Sequence, residues 1–356
     1  MMIQELSGRI VRWYTENKRN FPWRDTGDVY DVWVSEIMLQ QTRIPVVTER
    51  FTRFKQKFPD LWSLAEASWD EVFKEWEGLG YYSRARNLKR CAEIIVREYA
   101  GRFPAAYEEL IRLPGIGPYT AAAIASIAYA EKVPLVDGNV KRVISRLYGI
   151  EDDIRLGKTE ARIRAVLEDG LENLPDRDVA SFNVGIMELG EVVCVPGNHP
   201  LCEKCPLADL CRAYRTDRVG KIPYTAPKKN RTAEEKTVLI LSDKEAVYLE
   251  KRPDKGLLAG LYEPVLKDGS LSEKEVRAAL SEEGYDIAKI DPLGKAVHVF
   301  SHKEWHMTGY RVSLRKPAAK EGVIRVTKEE ENRYAVPSAF SAYRPYFWTQ
   351  EEPNGK

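Results

Sequence analysis

No run of this 356-residue sequence approaches the ~20 apolar residues needed to cross a bilayer. Its start, Met-Met-Ile-Gln-Glu-Leu, lacks the charged-then-apolar build of a secretory signal. A cytoplasmic protein is the expectation. Charge of one sign is also missing: 55 basic against 54 acidic residues leave +1. That excludes a globally basic nucleic-acid coat, although a local basic groove can hide in such a sum. Histidine is scarce, at four residues, and cysteine at five. No internal repeat or low-complexity tract interrupts the chain. What is present, 44% hydrophobic and 31% charged residues over this length, suffices for two domains with separate cores.

The few cysteines are not scattered. Cys194, Cys202, Cys205 and Cys211 lie within eighteen residues, spaced C-x7-C-x2-C-x5-C. Two thiolates separated by two residues reach one ion or cluster without backbone strain, and the outer two complete a four-sulfur shell. Tetrahedral zinc and a [4Fe–4S] cluster both suit four cysteines. Two disulfides suit them poorly, because the chain shows no secretory signal and Cys91 is the one other cysteine.

Residues 1–215 read as helices. Leu6 and Ile10, then Leu61, Leu64, Val72 and Trp76, recur at helical spacing between glycine and proline punctuation. Residues 216–235 are polar, have no periodic apolar face and read as a linker. Residues 236–350 become strand-like. Two short apolar runs, Thr237–Leu241 and Ala246–Leu249, flank Ser242-Asp243-Lys244-Glu245 and predict a hairpin. Tyr310–Leu314 alternates, and Glu273–Leu280 predicts a helix. The expected fold is a mostly α N-terminal domain followed by a small α+β domain.

Two further segments carry chemistry. In Leu113-Pro114-Gly115-Ile116-Gly117-Pro118-Tyr119-Thr120-Ala121 a helix ends, Gly115 and Gly117 permit a tight turn with positive φ, and a new helix starts at Pro118. Free N–H groups at such a helix start can hold a phosphate oxygen. Asp137 lies in Val136-Asp137-Gly138-Asn139, where Asn139 is the expected N-cap. The helix dipole should then keep the Asp137 pKa low. Glu36, among Trp33, Val34, Ile37 and Met38, should have its pKa raised by desolvation. One charged and one protonated carboxyl group is the arrangement that cleaves glycosidic bonds.

The chain resembles the helix–hairpin–helix DNA glycosylases with an iron–sulfur cluster, and among them the MutY family, which removes adenine opposite 8-oxoguanine. The likeness runs over nearly the whole length. It rests on Phe21-Pro22-Trp23-Arg24, on Trp33-Val34-Ser35-Glu36-Ile37-Met38-Leu39-Gln40-Gln41-Thr42, on Glu77–Leu88, and on the hairpin, the Asp137 segment and the four cysteines. It implies a helix–hairpin–helix catalytic domain at 1–215, a [4Fe–4S] cluster on the loop at 194–211, and a Nudix-like lesion-recognition domain at 236–350. The implied partner is double-stranded DNA with adenine opposite 8-oxoguanine, bound by a monomer.

The resemblance also implies roles. Glu36 would protonate the adenine leaving group and Asp137 would stabilise the sugar cation, with Tyr119 and Asn139 in support. Relatives that also cut the strand carry a lysine at the position of Tyr119, and a phenol cannot form their Schiff base. Base removal without strand scission is therefore expected. Trp23 and Arg24 would line the adenine pocket. Gln41 and Tyr81 would enter the base stack, and Arg84, Arg86, Lys89 and Arg90 would meet phosphates. Phe300-Ser301-His302, helped by Thr42, would read the lesion. His298, His302 and His306 have equal parity for one strand face, but the lesion loop is the better reading of His302 than zinc. Two departures stand out: seven residues, not the family's usual six, separate the first two cysteines, and Val184 occupies a position where the family carries a glutamine or glutamate. In the C-terminal domain Glu282 and Glu283 alone remain of a Nudix metal helix, so Nudix hydrolysis is not expected.

Overall fold

The computed structural model describes residues 2–226, 231–243, 245–253 and 255–348. Part of the expected linker, 227–230, and residues 349–350 of the expected C-terminal domain lie outside them. The chain forms two compact units, Met1–Glu66 with Arg90–Lys228 and Ala67–Lys89 with Lys229–Lys356.

The first unit is helical. Its site rests on α1 (Met2–Asn17), α2 (Val29–Leu39), α3 (Pro118–Tyr129), α4 (Gly138–Tyr148) and α5 (Asp176–Val192). Leu6 and Ile10 place an apolar stripe on α1, and it packs into one core with Val140 and Val143 of α4 and Phe182, Ile186 and Leu189 of α5. Gly185 lets α5 approach α1 closely: a Cβ there would stand 2.9 Å from Ile10 Cγ2. α2 is buried along most of its length, from Tyr30 to Met38, with Asp28 capping it by accepting from the Tyr30 amide at 2.9 Å. An apolar helix of this kind is central, and it carries the carboxyl group of Glu36 inside with it.

The hairpin differs in one detail from expectation. Gly115 takes φ +77°, but Gly117 takes φ −88° as the N-cap of α3. Only the first turn position needs the left-handed region. Gly117 offers no side chain to cap α3, so the first amides of that helix are left for another acceptor.

The second unit contains a six-stranded sheet in the order β4-β5-β1-β3-β2-β6. The strands are β1 (Thr232–Ser242), β2 (Ala246–Lys251), β3 (Tyr262–Asp268), β4 (Ile287–Val299), β5 (Lys303–Leu314) and β6 (Val323–Thr327). The expected β1–β2 hairpin opens at once. The two strands pair only at Ser242↔Val247, because β3 runs antiparallel between them. The cause is burial on both faces. Val238 and Ile240 join Trp305 and Phe340 on one side. Leu239 and Leu241 join Val276 and Leu280, from helix α6 (Glu273–Glu282), on the other. A strand so covered is central and takes two partners, with β5 parallel on its second edge.

The basic run also needs correcting. Arg84 is buried, donates to the carbonyls of Leu79 at 2.7 Å and Gly80 at 3.0 Å, and lies over the Trp76 and Tyr81 rings. Lys89 is buried against the Trp69 ring. Arg86 donates to the Ala259 carbonyl at 2.5 Å. These cations hold the local fold, and Arg90 is the exposed member of the run. The three histidines do not share a strand face either. His298 lies on β4, His306 on β5 and His302 in the turn between.

Candidate active site

Within the first unit, one cavity of about 370 Å³ is lined by Trp23, Arg24, Ser35, Glu36, Ser181 and Val184, among others. Glu36 enters from α2 with 3% of its surface exposed. Its Oε2 accepts a hydrogen bond from the Tyr119 hydroxyl at 2.8 Å. Burial raises the Glu36 pKa, the bond from Tyr119 and the charge of Arg24 oppose the rise, and Asp137 adds to it. Burial and the charges of Glu36 and Asp137 in turn hold the Tyr119 phenol protonated. The hydroxyl therefore donates, and also meets Met187 Sδ at 3.4 Å. Asp137 is the smallest of the influences on Glu36, and both carboxyl groups act on the same phenol.

Asp137 corrects two expectations. It is itself the N-cap of α4, accepting from the Val140 amide at 2.7 Å, so Asn139 lies inside the helix. The Asn139 side-chain amide donates to the second carboxylate oxygen at 2.9 Å. Its pKa is raised rather than low, because burial outweighs both hydrogen bonds and the pull of Arg142. Arg142 extends the network, donating to Asn139 Oδ1 at 2.7 Å, to the Gly190 carbonyl at 2.8 Å and to the Cys194 carbonyl at 2.7 Å.

Residues 34–169 match the HhH-GPD superfamily of base excision DNA repair proteins, and residues 237–344 match the NUDIX domain. Adenine DNA glycosylase of Mus musculus is 34% identical over 95% of this chain and 77% of its own. Adenine DNA glycosylase of Buchnera aphidicola is 36% identical over 74% of this chain and 75% of its own. The chain belongs to the adenine DNA glycosylase family. It is accordingly a DNA glycosylase, an enzyme that hydrolyses N-glycosidic bonds. Among solved structures, a thermostable thymine-DNA glycosylase is 30% identical, with a TM-score of 0.52 over 59% of this chain and 95% of that one.

Trp23 and Arg24, signalled by Phe-Pro-Trp-Arg, do meet Glu36 in this glycosylase's cavity. Trp23 Nε1 and Arg24 Nε are buried donors with no acceptor among the described residues. Val184 is 1% exposed and lines the same cavity. Gln41 follows α2 and is exposed with φ +57°. In the second unit Tyr81 is 46% exposed with φ +46°. Left-handed backbone at residues other than glycine costs on the order of 1 kcal/mol or more and gathers at functional sites. Thr42 lies beside Gln41, partly exposed.

Phe300-Ser301-His302 forms the tight turn from β4 to β5, closed by the Phe300 amide donating to the Lys303 carbonyl at 2.8 Å. The Phe300 ring packs edge-on to Trp305 at 4.9 Å, which leaves Ser301 and His302 exposed at the tip. Ser301 Oγ lies 3.0 Å from the Tyr81 hydroxyl.

Cys194, Cys202, Cys205 and Cys211 are all free thiols and line one cavity. Arg146 donates to Cys194 Sγ at 3.3 Å and to the carbonyls of Val195 and Gly197 at 2.8 Å each. Among the described residues, no three metal-ligating side chains converge as a single ion would require. Glu188 and Arg142 escaped the sequence reading. Glu188 pairs with Arg19 and Arg24, and Arg142 bonds Gly190 and Cys194 as well as its neighbour Asn139, so most of their partners are distant in the chain.

Proposed function

We propose that this enzyme removes adenine mispaired with 8-oxoguanine from double-stranded DNA and leaves an abasic site in an intact strand. The observation that carries the reading is the buried Glu36, bonded to Tyr119 and electrically coupled to the capped Asp137. An extruded adenine enters the cavity beside Trp23 and Arg24. Glu36, whose pKa burial raises, gives its proton to adenine N7 and makes the base a better leaving group. Asp137 stabilises the positive charge that grows on the sugar as the C–N bond breaks, with Asn139 and the Val140 amide fixing the carboxylate. Glu36, now ionised, takes a proton from the water that attacks C1′. Tyr119 orients Glu36 and has no amine with which to open the sugar.

The amides at Gly115–Gly117 receive a phosphate, Gln41 and Tyr81 fill the gap left by the base, and Thr42 with Phe300, Ser301 and His302 reads the lesion. The four cysteines hold a [4Fe–4S] cluster. Four free thiols around one cavity, with a guanidinium on Cys194 Sγ, fit its anionic core. When bound, it cross-links the 194–211 loop. The protein acts as a monomer on DNA.

Val184 favours a second reading, a glycosylase for another mispaired base, since valine offers adenine no hydrogen bond and one similar solved structure is a thymine-DNA glycosylase. Duplexes with A opposite 8-oxoguanine, A opposite G and T opposite G, followed by alkaline cleavage, test both. Release of adenine, with 8-oxoguanine opposite preferred, is expected. Release of thymine alone transfers the assignment to the second reading. Strand cleavage without alkali contradicts the role given to Tyr119.

A further inference from the structure

Glu188 of α5 is a carboxylate with 1% exposure, deep in a helical core. A charge so placed requires partners. It has two, and both lie in the loop between α1 and α2. Arg24 Nη2 donates to Glu188 Oε1 at 3.2 Å. The Arg19 side chain and backbone amide both reach Oε2 at 3.5 Å. One helical turn on, Glu191 accepts from Arg19 Nη2 at 2.6 Å. Between the two arginines lie Phe21 and Trp23, stacked at 5.1 Å. The segment from Arg19 to Arg24, which brings Trp23 and Arg24 to the cavity, is thus held at two points by α5.

We infer that Glu188 is a positioning residue of the base pocket, fixing Arg24 against the cavity and neutralising its charge beside the catalytic acid. The inference rests on the glycosylase reading and deepens it. The groups acting on Glu36 come from three elements: Tyr119 from α3, Asp137 at the start of α4, and Arg24 from the loop. Tyr14 of α1 lines the same cavity and feels both Arg24 and Glu188. Lys18 and Asp25 pair with each other at 2.6 Å at the loop's outer side. Of the groups acting on Glu36, Arg24 is the cation, and it favours the ionised acid. An Arg24 stripped of its counterion would do so more strongly. Adenine release would then lose its proton donor at lower pH.

The test is the single-turnover rate of adenine release against pH, with the full chain as purified and a duplex bearing adenine opposite 8-oxoguanine. In Glu188→Gln the alkaline limb is expected about one pH unit lower, a tenfold slower reaction on that limb. In Glu188→Asp, which keeps the charge, the limb stays near the parent's. Arg24→Gln should move it the opposite way, to higher pH. A Glu188→Gln limb unmoved from the parent's, whatever the loss of rate, overturns the assignment and leaves Glu188 a structural ion pair. Should Glu188→Gln not fold by circular dichroism, Arg24→Gln decides: an upward shift supports the inference, and an unmoved or lowered limb ends it. A parent protein that releases no adenine instead fails the glycosylase reading, and this inference falls with it.

Discussion

The two units place their candidate residues in opposite surroundings. In the helical unit Glu36 is almost fully buried and Asp137 is sequestered at a helix start. In the sheet unit Ser301 and His302 stand exposed at the tip of a turn. Proton transfer needs a displaced pKa, and burial is the largest cause of displacement at both carboxyl groups. Reading a base in a duplex needs donors that reach outward, and neither tip residue is held inside. On the proposed reading, chemistry is built into a buried core, and recognition onto an exposed turn that a core presents. Trp305 and Phe340 anchor that turn through Phe300, while the tip remains polar.

The sharpest way to break this contrast is Asp137→Asn. It should retain duplex binding in a gel-shift assay while the single-turnover rate falls about 10³-fold, a loss expected for a preorganised charge in a dry site. Near-normal turnover would remove Asp137 from the chemistry. Next is Gly190→Ala. Its new Cβ would stand 2.7 Å from Asn139 Cβ and 3.1 Å from the Asn139 carbonyl oxygen, so α4 must shift where it carries Asp137. A displacement of that kind costs about 10²-fold in rate without touching substrate. An unaffected rate would mean that the buried site tolerates movement.

Ser301→Ala addresses the exposed side. Loss of one hydrogen bond, worth about 1 kcal/mol, should reduce the preference for 8-oxoguanine over guanine about fivefold and leave release opposite guanine unchanged. Competition between the two duplexes measures it, and an equal effect on both would deny the turn a reading role. The smallest effect is on stability. Glu36 and Asp137 have folded pKa values above those of the unfolded chain, so the folded state binds more protons. Stability from these groups is fully present below the unfolded carboxylate value of about 4, and falls as pH rises through the folded values. Glu36→Gln removes the Glu36 share of that dependence while its amide oxygen still accepts from Tyr119. At pH 7.5 its melting temperature should exceed the parent's by about 2–4 °C, with the gap closing towards pH 5. A lower melting temperature at pH 7.5 would show that the buried acid stabilises the fold.

How much of this was readable in the chain depends on range. The helix start at Pro118 and the helix from Glu273 follow from local residues, and the structure has them there, whereas the loop at Phe300–His302 was implied only by the family resemblance. The pairing of β1 did not follow, because which strand fills its second edge is a contest among distant segments. Arg84 and Lys89 were misread for a similar reason. A basic run in sequence says nothing of aromatic rings and carbonyls that fold back over it.

The order of residues by itself fixed the helical and sheet regions, the clustering of four thiols, the hairpin and the two carboxyl groups, since each is written in composition or spacing over a few turns of chain. Only tertiary structure decided that burial outweighs the helix start at Asp137, that Tyr119 bonds to Glu36, and that Glu188 grips Arg24. Desolvation and charge coupling act through space, and sequence distance does not measure space.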